Sequence, residues 1–125
     1  MKKILVIEDD KTLQDAIKNV VSTEEDFEVI QSFDGPSGFK KIKEEKPDII
    51  LLDLMLPKED GYHMLYKLNE DKTTKKIPVI ILTAIDSETS DIECKNFGAV
   101  EYLVKSDISI LDIMKKIKEH LNVND

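Results

Sequence analysis

Ile49-Ile50-Leu51-Leu52 is an unbroken apolar run enclosed by Asp48 and Asp53. A strand with one wet face alternates apolar and polar residues. A run without alternation instead predicts a strand covered on both faces, as in the middle of a parallel sheet. The covering must come from the rest of the chain. Lys3-Ile4-Leu5-Val6-Ile7 and Pro78-Val79-Ile80-Ile81-Leu82 read as further buried strands and Val100-Glu101-Tyr102-Leu103-Val104 as a fifth run, while Phe27-Glu28-Val29-Ile30-Gln31-Ser32 alternates and suits an edge.

Segments of helical periodicity separate these runs. Leu13, Ile17, Val20 and Val21 mark the first helix, and Asp34-Gly35-Pro36 opens a second that carries Phe39 and Ile42 and closes before Pro47. Asp60-Gly61 precedes a third, with Met64, Leu65 and Leu68 on one side and Asn69 to Lys76 as its end and loop. The segment Asp86 to Asn96 is acidic and weakly patterned, with Ile92 and Cys94 as the inward candidates of a loosely held fourth helix that Phe97-Gly98 ends. Ile110, Ile113, Met114, Ile117 and Leu121 define a strongly amphipathic last helix.

Five strand-helix units with short connections predict an α/β fold: a five-stranded parallel sheet, right-handed crossovers and helices on both faces. No repeat or low-complexity linker divides residues 1–125, so one domain is expected, and a chain with 41% hydrophobic residues can bury a core of that size. The single cysteine, Cys94, suits a reducing compartment. The apolar stretch before Glu8 is too short for a signal peptide or membrane span, so a cytoplasmic protein without membrane contact is expected. A net charge of -8 and the absence of any arginine oppose direct nucleic-acid binding.

Parallel strands point one way, so the residues ending the buried runs fall along one sheet edge. Glu8, Asp9, Asp53, Thr83 and Lys105 should meet there, and in the order 2-1-3-4-5 the ligand crevice lies between strands one and three. Singly, each residue has another explanation. Asp9 or Asp10 could cap the first helix, Asp53 could be a turn residue, Thr83 a strand residue and Lys105 a solvated lysine. Their conjunction is what favours a site. Three close carboxylates repel unless a cation joins them, and oxygen ligands without thiolate or imidazole favour Mg²⁺. Aspartate can form an aspartyl-phosphate, with a metal, a lysine and hydroxyl or N–H donors stabilising the phosphoryl oxygens, which makes phosphoryl transfer the implied chemistry.

Ile4 to Asp9, Asp48 to Gly61, Leu82 to Ala84 and Gly98 to Lys105 together resemble the receiver domain of two-component response regulators, over the whole chain. The resemblance implies a flavodoxin-like (βα)5 three-layer sandwich in which Asp53 accepts a phosphoryl group from a histidine kinase or histidine phosphotransfer protein. It implies Mg²⁺ held by Asp9, by Glu8 mainly through water, by Asp53 and by the Met55 carbonyl. Thr83, the Ala84 N–H and Lys105 would bind the phosphoryl oxygens, and Thr83 and Tyr102 would form the switch. Output would pass to a downstream protein or a second copy through the face of helix 4, strand 5 and helix 5, with Asp91, Lys95, Glu101 and Lys115. Such a domain promotes its own phosphorylation and dephosphorylation but is a switch, not an enzyme.

Where the family usually has Lys-Pro, this chain has Lys105-Ser106, and Glu8 replaces a frequent aspartate. Met55 and Ile85, two residues beyond Asp53 and Thr83, are apolar, from which a moderately long-lived phosphoryl group is expected. The competing readings are a pseudo-receiver that works unphosphorylated, a Mg²⁺-dependent aspartate-nucleophile phosphatase and a flavodoxin-like cofactor protein. The intact acidic pair, Met55 in place of a second aspartate, and acid in the loop after the first strand count against them in turn.

Overall fold

Side-chain alternation inside the strands divides the core in two. In the computed structural model, which describes residues 1–122, the elements follow in the order β1 Lys2–Ile7, α1 Lys11–Val21, β2 Phe27–Ser32, α2 Gly35–Glu45, β3 Ile49–Leu52, α3 Gly61–Glu70, β4 Val79–Thr83, α4 Glu88–Asn96, β5 Ala99–Val104 and α5 Ile110–His120. A single 3₁₀ turn over Lys105–Asp107 joins β5 to α5. Residues 123–125, the end of the expected domain, lie outside the described residues.

All strand pairs are parallel and the order is β2-β1-β3-β4-β5, the flavodoxin-like arrangement, with the alternating strand β2 at an edge. Leu5, Ile7, Ile50, Leu52 and Ile81 face one side, where α2, α3 and α4 add Ile42, Met64, Leu65, Leu68 and Cys94. Ile4, Val6, Ile49, Leu51, Ile80 and Leu82 face the other, under Ile17 and Val21 of α1 and Ile113, Met114 and Ile117 of α5. The all-apolar runs are therefore explained: both sides of each central strand are dry. No described helix is long and apolar enough to cross a membrane.

The fourth helix corrects the expectation for Ile92, which is 54% exposed. At 100° per residue, Ser90 and Cys94 share the inward face of α4, and Ile92 points away from both. Only these two residues of α4 are buried, and one of them is polar. Ser87 caps the helix by accepting from Ser90 N at 3.2 Å, and Gly98 follows its end at φ +98°, the left-handed region that favours glycine.

Candidate functional site

Strand register brings the acidic residues together. Ile7 pairs with Leu52, so the next residues, Glu8 and Asp53, leave β1 and β3 side by side. Asp53 N donates to Ile7 O at 3.1 Å and Glu8 N to Ser32 O at 3.0 Å, which holds both backbones at the sheet edge. Thr83 ends β4 opposite Val104, so Lys105 emerges directly beside it.

The choice between Asp9 and Asp10 as helix cap is resolved by hydrogen bonding. Asp10 Oδ1 accepts from Thr12 N at 2.9 Å and Leu13 N at 3.3 Å, so Asp10 caps α1 and the exposed Asp9 carboxylate stays free of that task. Glu8 and Asp53 are 2% and 4% exposed. One carboxylate oxygen from each of Glu8, Asp9 and Asp53 lies within 4.8 Å of the others.

Lys105 faces two of these carboxylates, with Nζ 2.6 Å from Glu8 Oε1 and 2.9 Å from Asp53 Oδ2. Burial alone would lower the ammonium pKa, but the contacts with Glu8 and Asp53 outweigh it and raise it. For Glu8, burial raises the pKa; Lys105 and the Asp10 N–H pull it down, and the charge of Asp53 pushes it up again. Glu8 Oε1 is thus paired with the ammonium, while Glu8 Oε2 accepts from Asp10 N at 3.0 Å. Three converging carboxylates and one ammonium leave negative charge uncompensated. Oxygen-only donors of this kind fit a hard divalent cation, and the group could hold one.

The remaining predicted residues surround this group. Asp53 Oδ1 accepts from Met55 N at 3.1 Å, while the Met55 side chain is 59% exposed. Thr83 is buried and its Oγ1 accepts from Ile85 N at 3.3 Å; Ala84, next to it, is exposed. Tyr102 is half-buried and donates from Oη to Ile85 O at 2.7 Å. An open depression of about 680 Å³ beside Asp53 is lined by Asp9, Met55, Leu56, Pro57, Tyr62 and Ile85 among others. The Lys105–Ser106 peptide is trans, and from that geometry the ammonium still reaches both carboxylates.

Two positions were missed in the sequence. Gln14 is fully buried, and its Nε2 lies 2.9, 3.1 and 2.8 Å from the carbonyl oxygens of Val6, Glu8 and Ser32, which it joins by donation. The opposite amide orientation would set Oε1 against three acceptors, so this assignment follows from the surroundings. Gln14 thus anchors the end of β1 just where Glu8 departs. Its signal was a polar residue on the stripe Gln14, Ile17, Val21. Gly61 is the other, placed in the sequence only as the residue before the third helix: a Cβ there would collide with Asp53 O and Leu54 Cα, so only glycine lets α3 begin against the loop that carries Asp53.

Residues 4–118 match the response regulator receiver domain family. The chain belongs to that family. Among curated relatives, this receiver domain is 38% identical over 103 residues to the response regulator PleD of Caulobacter vibrioides, a match covering 82% of this chain and 22% of PleD. Its matches to the curated relatives PleD, RpaA and DctR cover from 22% to 56% of their lengths. Among solved structures, the CheY-like receiver domain protein from Methanospirillum hungatei superposes with a TM-score of 0.88 at 30% identity, covering 98% of this chain and 94% of that one. The BeF₃-activated receiver domain of Klebsiella pneumoniae RstA gives 0.86 at 29% identity, with 96% and 98% covered. Receiver domains belong to two-component signal transduction and act as switches.

Proposed function

We propose that this receiver domain takes a phosphoryl group from the phosphohistidine of a kinase or phosphotransfer protein onto Asp53, in a Mg²⁺-dependent step in the cytoplasm. The observation that carries the reading is Lys105 Nζ beside both Glu8 and Asp53, within a carboxylate group that one ammonium does not neutralise. Glu8, Asp9, Asp53 and the Met55 carbonyl would hold Mg²⁺, which when bound supplies positive charge against the phosphoryl oxygens.

Asp53 is the nucleophile: one carboxylate oxygen bonds to phosphorus as the phosphorus–nitrogen bond to the donor imidazole breaks, and the electron pair leaves with the imidazole. The Met55 N–H orients the Asp53 carboxylate by donating to Oδ1. Lys105 lies close enough to pass from the carboxylate to the new phosphoryl oxygen, and the Thr83 hydroxyl and Ala84 N–H complete the donors on that group. Residues 1–125 would serve as one such domain. Its output would go to a downstream protein or a second copy through α4, β5 and α5. That face carries the Asp91–Lys95 pair at 3.0 Å and Glu101, which pairs with Lys116 at 3.3 Å, while Lys115 is exposed. Charge reversal at Lys95 weakens partner capture if this face is used and leaves it unchanged if not.

Met55 and Ile85 flank the approach to Asp53 without offering a polar group to a hydrolytic water. Met55→Asn is expected to shorten the lifetime of the phosphoryl group, measured as loss of the adduct after donor removal; an unchanged lifetime refutes this role. The reading as a whole is tested with beryllofluoride, the activator named for the RstA receiver domain. In backbone NMR, beryllofluoride with Mg²⁺ should shift the amides of Asp53, Met55, Thr83, Ala84 and Lys105. No shift, or the same shift in Asp53→Asn, contradicts it.

A further inference from the structure

A second polar cluster lies under α4, made of neutral groups. Ser90 is only 5% exposed, and its Oγ lies 2.6 Å from Tyr62 Oη and 2.9 Å from Tyr102 Oη. Tyr102 Oη in turn lies 2.7 Å from the carbonyl oxygen of Ile85. Proton counting gives this chain a direction. The Tyr102 hydroxyl is placed to donate to Ile85 O or to Ser90 Oγ but carries one proton; the carbonyl can only accept, so that proton is assigned to Ile85 O, the Ser90 proton to Tyr102 and the Tyr62 proton to Ser90. With that assignment all three hydroxyl protons are used, and each bond polarises the next in a partly buried place.

The four groups come from four parts of the fold: the first turn of α3, the inward face of α4, strand β5 and the loop between β4 and α4. None of them is Asp53, Thr83 or Lys105. We infer that Ser90 is a positioning residue for the switch: through the Tyr62–Ser90–Tyr102–Ile85 chain it latches Tyr102 inward by the protein's own hydroxyls, independently of the phosphoryl group.

The inference rests on reading Tyr102 as the switch aromatic, and it gives α4 an anchor that its sequence lacks. Apart from Ser90, α4 buries only Cys94, so Ser90 is one of just two side chains that hold its inward face. A ligand shifts an equilibrium only as far as it favours one state over the other. With Tyr102 already held inward, phosphorylation has little of its position left to change, and the output depends on what moves around Ser90. Tyr62 also lines the depression that Asp9 and Met55 share, so the latch begins near the acidic cluster.

The test uses ¹⁹F NMR of protein labelled with 3-fluorotyrosine. The sequence has three tyrosines, Tyr62, Tyr66 and Tyr102, and each resonance is assigned by its Tyr→Phe variant. In wild type, Tyr102 should give one narrow line that stays in place when beryllofluoride and Mg²⁺ are added. In Ser90→Ala and Tyr62→Phe without beryllofluoride, that line should broaden or move toward the resonance of exposed Tyr66, and beryllofluoride should draw it back. If Ser90→Ala does not fold, Tyr62→Phe, which removes one oxygen, carries the test. A Tyr102 line unmoved in the folded variants, or one that responds to beryllofluoride as strongly in wild type as in them, overturns the latch. Failure of beryllofluoride to perturb the Asp53 amide would instead count against the phosphoacceptor reading, while the spectra without it still decide the latch.

Discussion

The two polar clusters of this molecule are opposites. At the sheet edge, three carboxylates share one ammonium, which touches two of them, Glu8 and Asp53. Under α4, three neutral hydroxyls and a carbonyl use all their protons on one another. Excess buried charge is costly and a satisfied neutral network is not, so the first arrangement makes sense with a ligand and the second makes sense as structure. Both sit on the same scaffold, and Tyr62 lies between them: it lines the depression that Asp9 and Met55 share and donates to Ser90.

The comparison can be broken most severely at Lys105. Replacing it by alanine removes the only cation facing Glu8 and Asp53 among the described residues, and phosphorylation by a small phosphodonor should slow by about 10²–10³-fold, the usual cost of losing one preorganised charge-stabilising donor. An undiminished rate in Lys105→Ala would remove the ammonium from the chemistry. A smaller effect is expected at Gln14, whose role is structural. Gln14→Leu removes the buried amide donor shared by the carbonyls of Val6, Glu8 and Ser32, of which Ser32 O keeps Glu8 N, and should destabilise the fold by about 1–3 kcal/mol in urea denaturation. Stability equal to wild type would mean that these carbonyls find other partners.

The sign of the next effect separates the clusters. Glu8→Gln relieves charge crowding in the acidic group and should raise stability without Mg²⁺ by about 1 kcal/mol or less, while weakening Mg²⁺ binding in calorimetric titration. Ser90→Ala, in the neutral cluster, should lower it. Destabilisation by Glu8→Gln in the absence of Mg²⁺ would show that the Lys105 pair outweighs the repulsion.

Much of this was legible in the sequence because it is local. An apolar run, its first polar residue and the rule that parallel strands end together were enough to bring Glu8, Asp9, Asp53, Thr83 and Lys105 to one edge, while the strand order came with the family resemblance. What escaped depends on residues distant in the chain. Ser90 is buried by Tyr62, 28 residues away, and by Tyr102, 12 residues away, so the pattern of α4 favoured the apolar Ile92 over the serine that actually faces inward. Gln14 was passed over for the same reason: its partners are carbonyls of β1, β2 and the turn after β1, which no helical periodicity records. Gly61 is required by the backbone of Asp53 and Leu54, a close approach visible only in three dimensions.

The most direct test of the charged cluster is the intact mass of the protein after incubation with a small phosphodonor, with and without Mg²⁺. Wild type should gain the mass of one phosphoryl group only when Mg²⁺ is present, and Asp53→Asn should gain none. The absence of a Mg²⁺-dependent adduct on wild type, or an equal adduct on Asp53→Asn, would contradict the assignment of Asp53 as the phosphoacceptor.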